Sequence, residues 1–276
     1  MSSCCLPCLA AVNLLPVDGM ILLSFGCILL LLAQVRSDCH VPPSLWCDDE
    51  EIAKECGVSA ACEDYNRTTF NEKINLTVLY ETLCPDCQDF ILLQLERFVW
   101  KFGREFVNFE LVPYGNAKRK NVSGTWKIYC QHGPLECALN KLHSCAIHHL
   151  GDVERWLPFV ACMEKALKSH YGPQAAAKLC LRKMDVKMAE AKKILECSTG
   201  DEGNELQLKM AERTETIKPD RHRFVPWILI QDVSTNGLQA TQANLLAFLC
   251  KWHRGTLPKG CHVYSEMLKQ KQCAAV

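Results

Sequence analysis

The sequence predicts an α/β fold in which a strand–helix–strand half and a strand–helix half are separated by a long disulfide-rich helical insertion. A small cysteine-rich segment precedes both halves. Three observations carry this prediction. Cys84-Pro85-Asp86-Cys87 stands between a strand pattern and a helix pattern. The stretch from Cys130 to Thr216 is helical and studded with cysteines, without a strand. Strand character returns only at Phe224 to Ile230.

Residues 1–37 read as a signal region. Met20 to Leu32 is an apolar run too short to span a bilayer comfortably, and Val35-Arg36-Ser37 offers small residues for cleavage. Residues 1–19 lack Lys and Arg, contain Asp18 and are broken by Pro7 and Pro16, a poor signal n-region. The start at Met1 or Met20 therefore stays open, as does an uncleaved anchor. Residues 38–72 carry Cys39, Cys47, Cys56 and Cys62. With Pro43, Trp46 and Ala53 their spacing resembles a short saposin A-type module, although Pro42 stands where that module has Gly. A disulfide-stapled pro-segment fits the same residues.

Residues 73–129 form the first half of the core. Leu76, Val78 and Tyr80 lie on one face of a period-two strand, while Ile91, Leu95, Val99 and Phe102 recur at helical spacing until Gly103. A C-x-x-C at such a junction is the thioredoxin-type redox arrangement. Cys84 falls at the helix N-cap and Pro85 at the first helical position, where its missing N–H costs nothing. Free N–H groups and the helix dipole then stabilise a thiolate. Half of a zinc site and part of a disulfide framework are the competing readings of the motif. Phe106 to Tyr114 reads as a second strand ending in the Pro113-Tyr114-Gly115-Asn116 turn.

Residues 130–216 are the insertion, in which Arg182, Lys183, Lys187, Lys192 and Lys193 read as the solvated face of one amphipathic helix. Residues 217–255 complete a thioredoxin-like core, with a strand over Phe224 to Ile230 and a helix from Gln242 to Trp252. Pro226 opens that strand at the cost of a ladder donor. In thioredoxin-like folds a cis proline there lies against the C-x-x-C, so Val225-Pro226 is expected to be cis, with Val225 pairing to substrate backbone. Residues 256–276 are left as a tail.

The segment Cys130-Gln131-His132-Gly133-Pro134-Leu135-Glu136-Cys137-Ala138-Leu139-Asn140, closing at Cys145, reads CQHGxxECxxNxxxxC. It resembles the signature of the gamma-interferon-inducible lysosomal thiol reductase family. Leu111 to Ala117, Asn121-Val122-Ser123-Gly124, Cys197 with Gly200 and Gly203, and Val225-Pro226-Trp227 follow in family order, so the resemblance covers residues 74 to 252. It implies a glycosylated endolysosomal or secreted enzyme that reduces protein disulfides at acidic pH, with Cys84 as nucleophile and Cys87 as resolving thiol. The resemblance gives His132 no catalytic step; a structural role is expected, with acid–base work as the alternative. Cys130, Cys137 and Cys145 are expected to be disulfide partners rather than metal ligands, and no metal is expected.

Composition fits a secretory enzyme. With 31 basic and 31 acidic residues the chain has no electrostatic reason to bind nucleic acid. Nineteen cysteines point to an oxidising compartment. Subtracting four in the signal region and the redox pair leaves thirteen, an odd number that keeps a disulfide-linked dimer open. Asn66, Asn75 and Asn121 head N-glycosylation sequons. The expected substrates are disulfide-containing proteins; the expected electron donor is an external thiol, with no bound cofactor and no membrane span in the mature protein. A disulfide oxidase or isomerase, and a non-enzymatic secreted binding protein, are the alternatives.

Overall fold

Apolar residues alternate through Ile74–Tyr80, and in the structure both faces of this strand are buried. The computed structural model describes residues 47, 50–68 and 70–274. The expected signal region and Cys39 lie outside the described residues.

Two short helices open the described chain, α1 (Glu50–Glu55) and α2 (Ser59–Thr68). The central strand β1 (Ile74–Tyr80) leads into α3, a continuous helix built from Pro85–Phe90, a π-wound stretch Ile91–Trp100 and a last turn Lys101–Gly103. Strand β2 (Val107–Pro113) returns parallel to β1, pairing Ile74 with Val107 and Tyr80 with Pro113. A hairpin follows, β3 (Lys118–Val122) and β4 (Thr125–Tyr129). Five helices make the insertion: α4 (Pro134–Leu150), α5 (Val153–Lys168), α6 (Pro173–Lys183), α7 (Met188–Thr199) and α8 (Asp201–Glu215). The chain re-enters the sheet through β5 (Lys218–Pro219), β6 (Trp227–Ile230) and β7 (Val233–Ser234). A 3₁₀ segment, Gly237–Asn244, then leads to α9 (Leu245–Trp252) and α10 (Lys259–Ala274).

The main sheet has the order β2-β1-β6-β7-β5, with β6 antiparallel to both β1 and β7. A parallel pair joined by a helix, followed by an antiparallel pair laid against its first strand, is the thioredoxin-like arrangement. Leu76, Val78, Ile228 and Ile230 pack with Ile91, Leu95 and Val99 of α3 and with Leu245 and Leu249 of α9. On the other face Leu79, Val112, Trp227 and Leu229 meet Ile217, with Met210 of α8 beside them. The one-faced pattern of β1 thus becomes a two-faced burial, because the insertion covers the second side.

The sulfurs fasten the helices. Cys145–Cys197 joins α4 to α7, Cys162–Cys180 joins α5 to α6, and Cys130–Cys137 closes the entry to α4. Gly203 lets α8 approach this assembly closely, since a Cβ there would stand 2.3 Å from the Cys197 carbonyl oxygen. Cys47–Cys62 braces α1 and α2, whose Ala53, Val58 and Cys62 join the main core.

Three expectations change. Of the residues expected to form one basic amphipathic helix, Arg182 and Lys183 fall on α6, Lys192 and Lys193 on α7, and Lys187 caps α7, after a break at Met184 and Asp185 (φ 49°). Met188, which opens α7, is 88% exposed. The tail is largely the helix α10, tied to α9 by Cys250–Cys261 and packed through Tyr264 on Phe98. The β3–β4 hairpin was not expected, because its strands are mostly exposed and only Trp126 and Ile128 alternate; its clearest signal is the Ser123-Gly124 turn, both residues at positive φ.

Loop length ranks the bridges. Cys145–Cys197 closes 52 residues and Cys130–Cys137 only 7. By chain entropy they contribute about 4 and about 2 kcal/mol. Cys197→Ala is therefore expected to lower the denaturation midpoint clearly more than Cys137→Ala in urea unfolding; equal losses would show that loop entropy is not what these bridges supply.

Candidate active site

Cys84 has extended backbone angles (φ −74°, ψ 118°) and caps α3, with Pro85 in the first turn. Its sulfur accepts the Cys87 N–H at 3.3 Å, one of the N–H groups a helix start leaves without a partner. Hydrogen bonds from the Cys87 thiol and from the Cys87 and Asp86 amides hold the Cys84 thiol down to about 7, against burial and the Asp86 charge. Cys87 is enclosed, and burial, with the Cys84 hydrogen bond, pushes its thiol far above the ordinary range. Its sulfur accepts the Glu81 N–H at 3.5 Å. Among the described residues Cys84 and Cys87 are the free cysteines.

The second landmark lies against the first. Val225-Pro226 is cis, and the Cys84 Sγ–H group donates to the Val225 carbonyl at 3.8 Å. Phe224, just before it, is 44% exposed and edge-on to Trp227.

The signature residues gather around the turn that ends in Cys84. The Asn140 side-chain oxygen Oδ1 accepts both the Thr82 N–H (3.1 Å) and the Thr82 hydroxyl (2.9 Å). Gln131 accepts the Asn116 side-chain amide at 2.6 Å, and the Asn116 N–H donates to Glu81 Oε1 at 2.7 Å. Gly133 starts α4 at φ 90°, a conformation that favours glycine. Glu136 is wholly buried; one oxygen accepts the His132 N–H at 3.0 Å and the other stands 2.6 Å from His132 Nδ1. Glu81 Oε2 faces the same nitrogen at 3.5 Å. Glu81, His132 and Glu136 thus bring three ligand-type atoms within 4.8 Å of one another. Cys130, Cys137 and Cys145 are in disulfides and point away from metal chemistry.

Several residues of the site were not singled out by sequence reasoning. Glu81, Thr82 and Asn116 act through backbone bonds that no residue pattern announces. Glu164 of α5 and His143 of α4 are wholly buried and approach to 3.7 Å, and His143 Nδ1 is hydrogen-bonded to the Tyr80 hydroxyl at 2.9 Å. Burial pushes Glu164 well above the ordinary carboxyl range and lowers His143 to about 3. Two ionisable residues at inward helix positions were the available signal. Of the sequon residues, Asn75 sits at the exposed end of β1, bonded to Gln231 and Asn108, and Asn121 lies in the exposed hairpin; Asn66 falls on α2.

A family profile described as "Gamma interferon inducible lysosomal thiol reductase (GILT)" matches residues 75–184 and does not reach the cysteine-rich segment 38–72. A gamma-interferon-inducible lysosomal thiol reductase from Carassius auratus is 36% identical over 228 residues, 82% of this chain and 85% of the relative. One from Mus musculus is 34% identical, covering 66% of this chain and 69% of its own length. The crystal structure of the oxidoreductase DsbA from Xylella fastidiosa superposes at a TM-score of 0.41 and 17% identity, covering 65% of this chain and 84% of that one. A redox pair at a helix start, a cis proline against it and a relative aligned over most of both lengths lead to one conclusion: the chain belongs to the gamma-interferon-inducible lysosomal thiol reductase family and is a thiol–disulfide oxidoreductase.

Proposed function

We propose that this enzyme reduces protein disulfides in an acidic compartment of the endolysosomal or secretory route, through a mixed disulfide formed at Cys84 and resolved by Cys87. The observation that carries the reading is the asymmetry of the pair. Cys84 is held down to about 7 at a helix start, beside the Val225 carbonyl, while Cys87 is enclosed and held in its thiol form. The Cys84 thiolate attacks one substrate sulfur, a Cys84–substrate bond forms, and the released substrate thiolate takes up a proton. Cys87 then loses its proton and attacks Cys84; the second substrate thiolate leaves, and the pair ends as a disulfide. Two electrons pass to the substrate, and an external thiol returns them. Exposed Phe224 beside Val225 offers an apolar landing for an extended, partly unfolded chain.

The compartment imposes a condition on the thiolate. An ordinary thiol, with a pKa of about 8.5, would be ionised in roughly one part in 3,000 at pH 5. A Cys84 thiol near 7 raises that to roughly one part in 100, a gain of about thirtyfold. Strong oxidases of this fold stabilise their thiolate much further, near 3.5, which makes their reduced form too stable to donate electrons. A value near 7 favours the reductase over the oxidase. Among the described residues no helix is long and apolar enough to cross a membrane.

Cys84→Ser is expected to abolish reduction of a denatured disulfide protein at pH 5, and Cys87→Ser to accumulate a covalent enzyme–substrate adduct visible on a non-reducing gel. Undiminished turnover by Cys84→Ser would refute the assignment.

The core carries its own pH signature. Glu164 has a folded pKa above its unfolded value, so its burial costs nothing in acid and destabilises the fold as pH rises above the unfolded carboxyl range. Glu164→Gln is expected to stabilise by about 1–3 kcal/mol at pH 7 and by much less at pH 5. Denaturation midpoints at the two pH values check this; a gain independent of pH would place Glu164 in the charged form.

A further inference from the structure

The family signature contributes no group to the exchange chemistry, yet its His132 and Glu136 converge on Glu81, three residues before the nucleophile. The Glu81 backbone touches both ends of the redox motif: its carbonyl accepts the Cys84 N–H at 3.3 Å and its N–H donates to Cys87 Sγ at 3.5 Å. Its side chain, wholly buried, fills the space that Gly115 leaves open, where a Cβ would stand 2.4 Å from Glu81 Cγ. Oε1 is tied to the Asn116 N–H, whereas Oε2 has no hydrogen bond and faces the His132–Glu136 pair. His132 keeps a third of its side chain in solvent, 33%, which gives this buried carboxyl a path for protons.

We propose that Glu81, clamped by His132 and Glu136, is a positioning residue for the redox pair: it fixes the turn that presents Cys84 and changes the charge facing the thiolate when it gains or loses a proton. This rests on Cys84 being the nucleophile. The groups around Glu81 come from every neighbouring element. Tyr80 precedes it on β1, and α3 contributes Cys84, Asp86 and Cys87. The loop before α4 and α4 itself contribute His132 and Glu136, while Glu164 of α5 acts on Glu136 and Cys84. His222, before β6, hydrogen-bonds the Gly115 backbone. Burial first, then Glu136, raise the Glu81 carboxyl to about 7, with Cys84 adding to the rise; the Asn116 N–H and His132 oppose it. In acid Glu81 is therefore neutral, and the Cys84 thiolate faces no charge from it. Near neutrality the carboxylate appears and opposes the thiolate. The assignment also accounts for a spacing: Cys130–Cys137 holds together the two ends of the segment that carries His132 and Glu136.

The test is the alkylation rate of Cys84 by iodoacetamide against pH, on the full reduced chain; Cys87 is enclosed and unreactive. Wild type is expected to show two coupled steps. Glu81→Gln keeps an oxygen acceptor for Asn116 but cannot titrate, so it should give one step, with alkylation about 1.5-fold faster than wild type near pH 7 and unchanged at pH 5. His132→Ala should move the second wild-type step to higher pH, because the side chain that lowers Glu81 is gone, and it keeps the test available if the Gln variant does not fold. The same rate ratio at both pH values, or a second step unmoved in His132→Ala, would overturn the proposal. Alkylation needs no disulfide substrate. A normal alkylation pattern without protein-disulfide turnover would therefore refute the reductase reading and leave this one standing.

Discussion

The structure depends on one helix start whose free N–H groups are given to sulfur. A helix leaves its first N–H groups without partners, and most proteins satisfy them with a hydroxyl or carboxylate cap. Here the cap is Cys84, and the Cys87 N–H points at its sulfur from 3.3 Å. The bond favours the thiolate over the thiol, so the same interaction that completes the helix also arms the nucleophile. Because α3 is continuous through a π-wound stretch to Gly103 and buries Ile91, Leu95 and Val99 in the core, its first turn has little freedom to move. A rigid helix carries the charge stabilisation, and the turn before it carries the geometry.

That turn is where the insertion matters. β6 has four residues and β7 two, so the sheet alone offers a small platform. Helix α8 covers the face that a bare sheet would leave wet, and α4 brings Glu136 and Asn140 beneath residues 81–84. The disulfides fasten helices to one another rather than helices to the sheet, so the helical assembly is rigid in itself and meets the redox half through side chains. Gln207 of α8 shows the join: its amide donates to the Pro113 carbonyl at the end of β2 and to the Ser144 hydroxyl on α4.

The redox half of the fold was legible because its signals are local. The period-two run before Cys84, the helical run after it and Pro85 at the first helical position all survive in the structure, and Pro226 stands against Cys84 as its place in the chain implied. What was not legible depends on contacts between distant segments. The second buried face of β1 needs Met210, more than a hundred residues away, and nothing in the strand itself reveals whether such a cover exists. Asn116, Gln131 and His132 are ordinary turn and loop residues until the chain folds them onto Glu81. The basic stretch read as one helix failed for a different reason: no proline or glycine marks its break, which falls at Asp185 in a left-handed conformation.

One tension remains in the core under the redox pair. Glu164 and His143 face each other at 3.7 Å, both without exposed surface, and both Glu164 oxygens and His143 Nε2 lack hydrogen-bond partners. Each is most easily buried uncharged, and their penalties run in opposite directions along pH. Glu164 becomes costlier to bury as pH rises above its unfolded value, and His143 as pH falls below its own, because the unfolded chain would hold an imidazolium that the fold forbids. Between the two unfolded values the slopes cancel and the core carries a nearly constant penalty, which grows above that window through Glu164 and below it through His143. A single buried acid or a single buried histidine would tilt stability with pH across that window, whereas the pair does not.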